Sequence, residues 1–350
     1  MNNEIKLDEI NFDTPIELIM KENEIPEKFK QCSFESYIAD KDYPSQQQAK
    51  EELYEFILKV SEFNKKKCCK STLNKLFKIN KKPKNIYLDG GFGIGKTHLL
   101  ASIGNAYKGK SLFLSFSELM YLIAYFDLLP TVERLSKFDI ILLDEFELDD
   151  PGDAMMGINF IRELNKTDSL IVTTSNTTPT ELGGRKFDIM VFKKRIGVLI
   201  NYFHTIEIDG KDYRIKKVKK IEYDNGKKNL ETIFREYRPK KRKKLFLTFD
   251  ELLNKMKEVH PARYINFNTN IDAIFIKDLR QFTDDELLSA LRFTYLVDIL
   301  YYGAVDIFIS TDIDIWNLFS DDLKDGKFKN KVMRCVSRMT EKGTFINLSK

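Results

Sequence analysis

The sequence predicts an α/β fold, a parallel sheet flanked by helices, and three observations carry that reading. Short apolar runs alternate with helix-patterned segments from Ile86 onward, the signature of successive βαβ units. Ser115/Glu118, Thr178/Glu181, Thr248/Glu251 and Thr283/Glu286 each pair a hydroxyl with a Glu three residues on. That spacing closes a capping box at a helix start, because each side chain accepts an otherwise unbonded backbone N–H. A glycine-rich turn, Gly90–Thr97, stands between the first apolar run and the first helix of the series.

The elements follow in order. Residues 1–84 read as an N-terminal helical extension, with Leu53, Phe56, Ile57 and Val60 at helical spacing and a lysine-rich connector closed by Pro83. Residues 85–210 read as the core, with strands at Ile86–Leu88, Ser111–Leu114, Ile140–Leu143 and Leu170–Thr173. Helices are expected at His98–Tyr107, Phe116–Phe126 and Ala154–Leu164. Pro151 and Pro179 sit where a first-turn proline is tolerated, since its missing N–H would have no intrahelical partner there. Residues 211–247 carry Arg238-Pro239-Lys240-Lys241-Arg242-Lys243-Lys244 and read as a basic exposed excursion. Residues 248–350 read as a C-terminal α/β and helical region, with strands at Ala273–Ile276 and Val305–Ile309 and helices at Asp284–Leu300 and Phe328–Lys342. The 32-residue step from Asp278 to Ser310 loosely echoes the 31-residue step from Asp144 to Ser175.

Composition narrows the chemistry. The chain has 350 residues, 43% hydrophobic, including 27 Phe and 15 Tyr, enough for a sizeable core and against global disorder. That length suggests about two domains. The net charge of +4 hides an acidic first sixty residues and basic stretches at 64–84 and 211–244. Cys32, Cys68, Cys69 and Cys335 form no CxxC pair, which fits a reducing compartment. His98, His204 and His260 are too scattered for a His-built metal site. No secretory signal is visible, and no apolar run is long enough to span a bilayer.

Gly90-Gly91-Phe92-Gly93-Ile94-Gly95-Lys96-Thr97 matches GxxxxGK[ST] in the strand–turn–helix context that the motif requires. Glycines let backbone N–H groups converge on phosphate oxygens, and the helix N-terminus adds partial positive charge. Lys96 is expected to reach the terminal phosphates of ATP and Thr97 to place its hydroxyl on Mg²⁺. Asp144, 48 residues after Lys96 at the end of the run Ile140–Leu143, is expected to hold the same ion. Glu145 beside it is expected to orient and deprotonate the attacking water. Asn176 ends the next apolar run and is expected to hold that water or touch the γ-phosphate. Arg185, Lys186, Lys194 and Arg195 are cations that could approach the γ-phosphate, with Arg195 the first choice for a residue supplied by a neighbouring subunit. The Glu–Asn pair argues against a small-molecule kinase, which must exclude water.

The string Tyr87–Leu100, including His98, resembles the P-loop of the ZapE/AFG-one-like AAA+ ATPases, the bacterial cell-division ATPases and their mitochondrial relatives. Asp144-Glu145-Phe146-Glu147-Leu148-Asp149-Asp150-Pro151-Gly152-Asp153-Ala154 resembles that family's extended Walker B segment. Thr174–Thr177, Asp209–Arg214, Tyr43–Gln46 and Arg292–Asp298 match as well. The resemblance implies an AAA+-like P-loop NTPase with a C-terminal lid region, using ATP and Mg²⁺. It also implies a homo-oligomeric ring, cytoplasmic and near the inner membrane, that remodels a protein partner in cell division or membrane-protein quality control. The arginine finger departs from the family pattern at Gly183–Phe187 and Phe192–Ile196, and Arg338 and Arg292 both remain open for the second sensor. Because the P-loop string also resembles that of helicase loaders, a nucleic-acid-dependent ATPase is the alternative. The basic excursion suits that alternative, although it lacks the arginine–aromatic interleaving that stacks single strands.

Overall fold

The computed structural model describes residues 3–12, 16, 19–68, 82–146, 151–176, 201–212, 229–326 and 328–347. The chain divides into two compact units, Ile16–Asp212 and a second built from Met1–Pro15 with Tyr213–Lys350. The N-terminal residues contribute the strand Glu4–Ile5 to the second unit.

In the first unit, helix α1 (Pro44–Cys68) precedes strand β2 (Asn85–Gly90) and helix α2 (Lys96–Ala106). Strand β3 (Ser111–Ser115), helices α3 (Phe116–Phe126) and α4 (Leu128–Leu135), and strand β4 (Ile140–Asp144) follow. Helix α5 (Pro151–Leu164) leads to strands β5 (Leu170–Ser175) and β6 (Phe203–Ile208). The sheet order is β3-β4-β5-β2-β6, with every pairing parallel. All residues of β4 and β5 are buried, as a parallel sheet covered on both faces requires. Strands β4, β5 and β2 are neighbours, so their carboxyl ends meet at one edge. This edge is where open α/β sheets bind ligands. Strand β6 has only half-buried alternation as a signal (Phe203, Ile206 and Ile208 buried), and the sequence reading did not mark it.

The Ser115 capping box forms as expected: Glu118 N–H donates to Ser115 Oγ (3.3 Å) and Ser115 N–H to Glu118 Oε2 (2.7 Å). Helix α5 opens at Pro151. The Thr178/Glu181 box lies outside the described residues.

The second unit has the parallel order β1-β7-β8-β9-β10. Strand β1 is Glu4–Ile5; helix α6 is Leu230–Glu236; strand β7 is Lys243–Thr248, followed by helices α7 (Phe249–Glu258) and α8 (Ile265–Asn270). Strand β8 (Ile271–Leu279), helix α9 (Leu287–Tyr302) and strand β9 (Asp306–Thr311) come next. Helices α10 (Asp321–Asp325) and α11 (Lys329–Lys342) and strand β10 (Gly343–Asn347) complete it. Its main core gathers Leu245, Phe249, Phe267, Ile274, Phe293, Ile309 and Val336. The stretch read as an exposed excursion therefore contains α6 and the buried strand β7. Lysines at its start masked an apolar run of only Leu245–Leu247. Among the described residues, no helix is long and apolar enough to cross a membrane.

The two βαβ stretches share one tip feature, at Glu145/Thr174 rather than at the Asp144/Ser175 pair that the sequence spacing singles out. Asp278 and Glu145 both adopt left-handed backbone (φ 59° and 58°). Each N–H donates to a hydroxyl on the next strand, Asp278 to Ser310 Oγ (3.1 Å) and Glu145 to Thr174 Oγ1 (2.9 Å). No glycine-rich turn follows β7, since Thr248 caps helix α7 directly.

Candidate active site

The P-loop leaves β2 at Gly90 and enters α2 at Lys96, and its backbone needs glycine at specific points. Gly93 and Gly95 have φ of 63° and 94°, the left-handed region that side chains resist. A Cβ on Gly95 would also stand 2.6 Å from Tyr37 Cε2, and one on Gly93 would collide with the Asp212 carboxylate. Gly91 and Ile94 complete the turn, and Phe92 lies within it, half-buried.

Lys96 is 8% exposed. Its ammonium donates to Gly90 O and Gly91 O (both 2.6 Å) and to Asn176 Oδ1 (2.8 Å). These oxygens offset the cost of drawing a cation out of water, and they fix the ammonium between the P-loop and the tip of β5. Thr97 Oγ1 donates to Asp144 Oδ1 (3.2 Å), and Asp144 is fully buried. The structure thus brings Lys96, Thr97, Asp144 and Asn176 together, with Glu145 next in the chain at the tip of β4.

Thr174 stands in the sequence only as part of the third apolar run and of the matched string Thr174–Thr177, with no role of its own. Its hydroxyl accepts the Glu145 N–H (2.9 Å) and donates to Asp144 Oδ1 (2.5 Å), while its carbonyl accepts the Phe146 N–H (2.8 Å). One buried threonine thereby braces both acids and the left-handed turn between them. Its sequence signals were a hydroxyl at the end of an apolar run and its place in the matched string Thr174–Thr177.

A family model described as AFG1-like ATPase matches residues 25–244 and 222–344. The chain belongs to the AFG1-like ATPase family. Cell division protein ZapE of Escherichia coli K12 is 24% identical over 296 residues, covering 74% of this chain and 77% of that protein. ZapE of Escherichia coli O157:H7 matches to the same extent. Among solved structures, DnaI aligns with a TM-score of 0.41 at 18% identity, over 54% of this chain and 93% of that one. AMPPCP-bound DnaA from Aquifex aeolicus aligns with a TM-score of 0.36 at 15% identity, over 87% and 81%.

In this AFG1-like ATPase the segment before α1 is fixed against the P-loop, and the first turn of α1 against the residues after β6. Tyr37 OH donates to Ile94 O (3.0 Å), and burial pushes its phenol up to about 12, which keeps it a donor. Gln46 Nε2 donates to Asp209 O (2.8 Å), and Asp209 N–H donates to Ser45 Oγ (2.9 Å). Two of the matched strings, Tyr43–Gln46 and Asp209–Arg214, are therefore joined across more than 160 residues of chain.

His98 turns toward the N-terminal segment: its Nε2 lies 3.0 Å from Ser36 Oγ and 3.1 Å from Ser33 O. Burial pulls its imidazole below the ordinary histidine range, only partly opposed by the Ser33 carbonyl. These contacts make His98 a tether of that segment.

Arg185, Lys186, Lys194 and Arg195 lie outside the described residues, as does Glu147–Asp150. Both residues considered for the second sensor are occupied inside the C-terminal unit. Arg338 and Arg334 converge on Asp298, the latter at 2.9 Å, and Arg292 donates to Met256 O and to Val259 O (3.1 Å).

The donor set fits Mg²⁺. Thr97 and Asp144 offer a hydroxyl and a carboxylate, both hard oxygen ligands of the kind the ion prefers, and the neighbouring Lys96 suits a polyphosphate carrying it. When bound, the ion supplies charge neutralisation between phosphate oxygens.

Proposed function

We propose that this AAA+-type ATPase hydrolyses ATP at the β2, β4 and β5 tips. Turnover is coupled to remodelling of a protein partner within a homo-oligomeric ring, in a role akin to cell division. The observation that carries the reading is the convergence of Lys96, Thr97, Asp144 and Asn176 at one sheet edge, with hydrogen bonds of 2.6–3.2 Å linking P-loop, acidic tip and polar tip.

In this reading Gly90–Thr97 wraps the triphosphate with backbone amides, and Lys96 neutralises its terminal charge. Thr97 and Asp144 hold Mg²⁺. Glu145 takes the proton of the attacking water, and Asn176 orients that water or the γ-phosphate. Arg195 is proposed to reach the γ-phosphate of a neighbouring subunit, and the division-related role follows the printed name of the ZapE relatives.

The test combines phosphate release with size. Purified protein with Mg²⁺ should release phosphate from ATP and should enlarge to a ring with a non-hydrolysable analogue. In mixtures, Arg195→Ala should lower activity by more than its share. Absence of phosphate release, alone or with cell extract, overturns the hydrolase reading; a strictly proportional loss on mixing removes Arg195 from its role.

Thr174 gives a second expected result. Thr174→Val keeps the shape of the side chain but removes the hydroxyl that braces Glu145 and Asp144, and should lower kcat roughly tenfold to a hundredfold. It should also raise the Mg²⁺ concentration needed for half-maximal turnover, while Thr174→Ser restores both. An unchanged Mg²⁺ requirement in the valine variant would show the hydroxyl to be a packing feature only.

A further inference from the structure

The segment Arg235–Lys244, from the last turn of α6 into β7, packs its cations into two classes. Lys244 and Arg242 work inside the fold. The Lys244 ammonium donates to Phe234 O (2.5 Å), lies 4.2 Å above the Phe234 ring and 3.5 Å from Glu4, and Arg242 is 3.7 Å from Asp272. Arg235, Arg238, Lys240, Lys241 and Lys243 are exposed.

The backbone that carries the exposed set is held firmly. Asp272 Oδ2 accepts the N–H groups of Lys241 (2.6 Å) and Arg242 (2.8 Å). Burial pushes the Asp272 carboxyl up, but the amides of Arg242, Lys241 and Lys240 outweigh it and hold the group below the usual carboxylate value. At the other end, Arg238 Nη1 donates to Arg235 O (2.7 Å), closing the end of α6. Helix α6 is itself pinned to the sheet by aromatic contacts, Phe234 with Phe246 and Phe275, and Tyr237 with Phe275 and Phe308, at centroid distances of 5.0–5.7 Å. Tyr237 OH also donates to Asp306 Oδ2 (2.8 Å).

We propose that this clamped loop is a docking surface for the phosphate backbone of duplex nucleic acid, contacted without regard to base sequence. Positioned cations suffice for such binding, because affinity comes from neutralised phosphates and released counterions. Tyr237, the aromatic side chain of the segment, and Phe234 just before it face the sheet, which removes the platform that base stacking on a single strand requires. A protein interface would need an apolar centre, and no side chain exposed between Arg235 and Lys243 is apolar. A lipid surface rearranges its headgroups around any cation cluster. A duplex presents phosphates at fixed spacing, so a loop held rigid in advance gains most there. The inference does not depend on the ATPase reading.

The test uses the full chain, a fluorescent 30-base-pair duplex and salt from about 50 to 200 mM. Wild-type protein should bind the duplex with affinity falling steeply as salt rises. The variant Lys240→Gln/Lys241→Gln/Lys243→Gln should bind roughly tenfold or more weakly at low salt, with a log–log slope shallower by up to about 2.7. Unchanged circular dichroism and thermal melting confirm folding. Equal duplex binding by wild type and triple variant overturns the proposal. So does capture by phosphatidylserine vesicles, or by single strands, without binding to the duplex.

Discussion

Replacing Glu145 with Gln should lower ATP turnover by about 10²–10⁴, the usual worth of a positioned general base, while nucleotide remains bound. The amide fills the same space and leaves the Lys96, Thr97 and Asp144 contacts intact, so the ground state is preserved and only proton acceptance is lost. The geometry makes this a sharp experiment. Glu145 is held in left-handed backbone at φ 58° by the Thr174 hydroxyl and by the Phe146 N–H on the Thr174 carbonyl, and an isosteric change leaves that turn as it was. Single-turnover phosphate release, paired with retention of labelled ATP, reads both halves. Wild-type turnover in the variant would remove Glu145 from the chemistry.

Replacing Lys96 with Ala should act on binding as well as on turnover. The ammonium bridges the P-loop carbonyls of Gly90 and Gly91 and the Asn176 amide, so its loss unties the loop from β5 and, in the proposed reading, takes away the charge that neutralises the triphosphate. Nucleotide affinity and turnover should each fall by at least about 10²–10³, the cost of one positioned donor. Equilibrium binding of a fluorescent ATP analogue checks the affinity, and thermal melting separates this loss from misfolding. Tight ATP binding by the alanine variant would mean that the backbone amides alone carry the phosphates.

The two substitutions differ in a useful way. Glu145→Gln should trap nucleotide and Lys96→Ala should release it, so a single site predicts opposite changes in occupancy. A protein in which both variants lost binding equally would have an acidic tip that serves structure rather than hydrolysis.

Much of the candidate site was legible from residue types. GxxxxGK[ST] followed by a helix has few other uses, and an apolar run ending in Asp-Glu announces a buried strand with charged residues at its tip. Helix Phe116–Phe126 and its Ser115 cap coincide with the pattern, because periodicity and capping are local properties. Strands β1, β6, β7 and β10 were missed for the complementary reason. Glu4–Ile5 is too short to have a period, and Lys243–Lys244 hides β7 behind charge. Their strand character comes from pairing with neighbours distant in sequence, as when Ile5 aligns with Leu245 and Phe203 with Asn85.

By itself, the sequence determined the glycine-rich turn, the acidic strand tip, the alternation of strands and helices, and the basic composition of 235–244, since each is written in residues adjacent along the chain. Tertiary structure alone decided that β5 lies between β4 and β2, which is what brings Asn176 to Lys96 and Thr174 to Glu145. It also decided that the first residues of the chain complete the second sheet, and that Asp272 fixes the basic loop. The physical reason is common to these cases: hydrogen bonds between residues tens of positions apart depend on strand order, and strand order is set by burial of the whole sheet rather than by any local pattern.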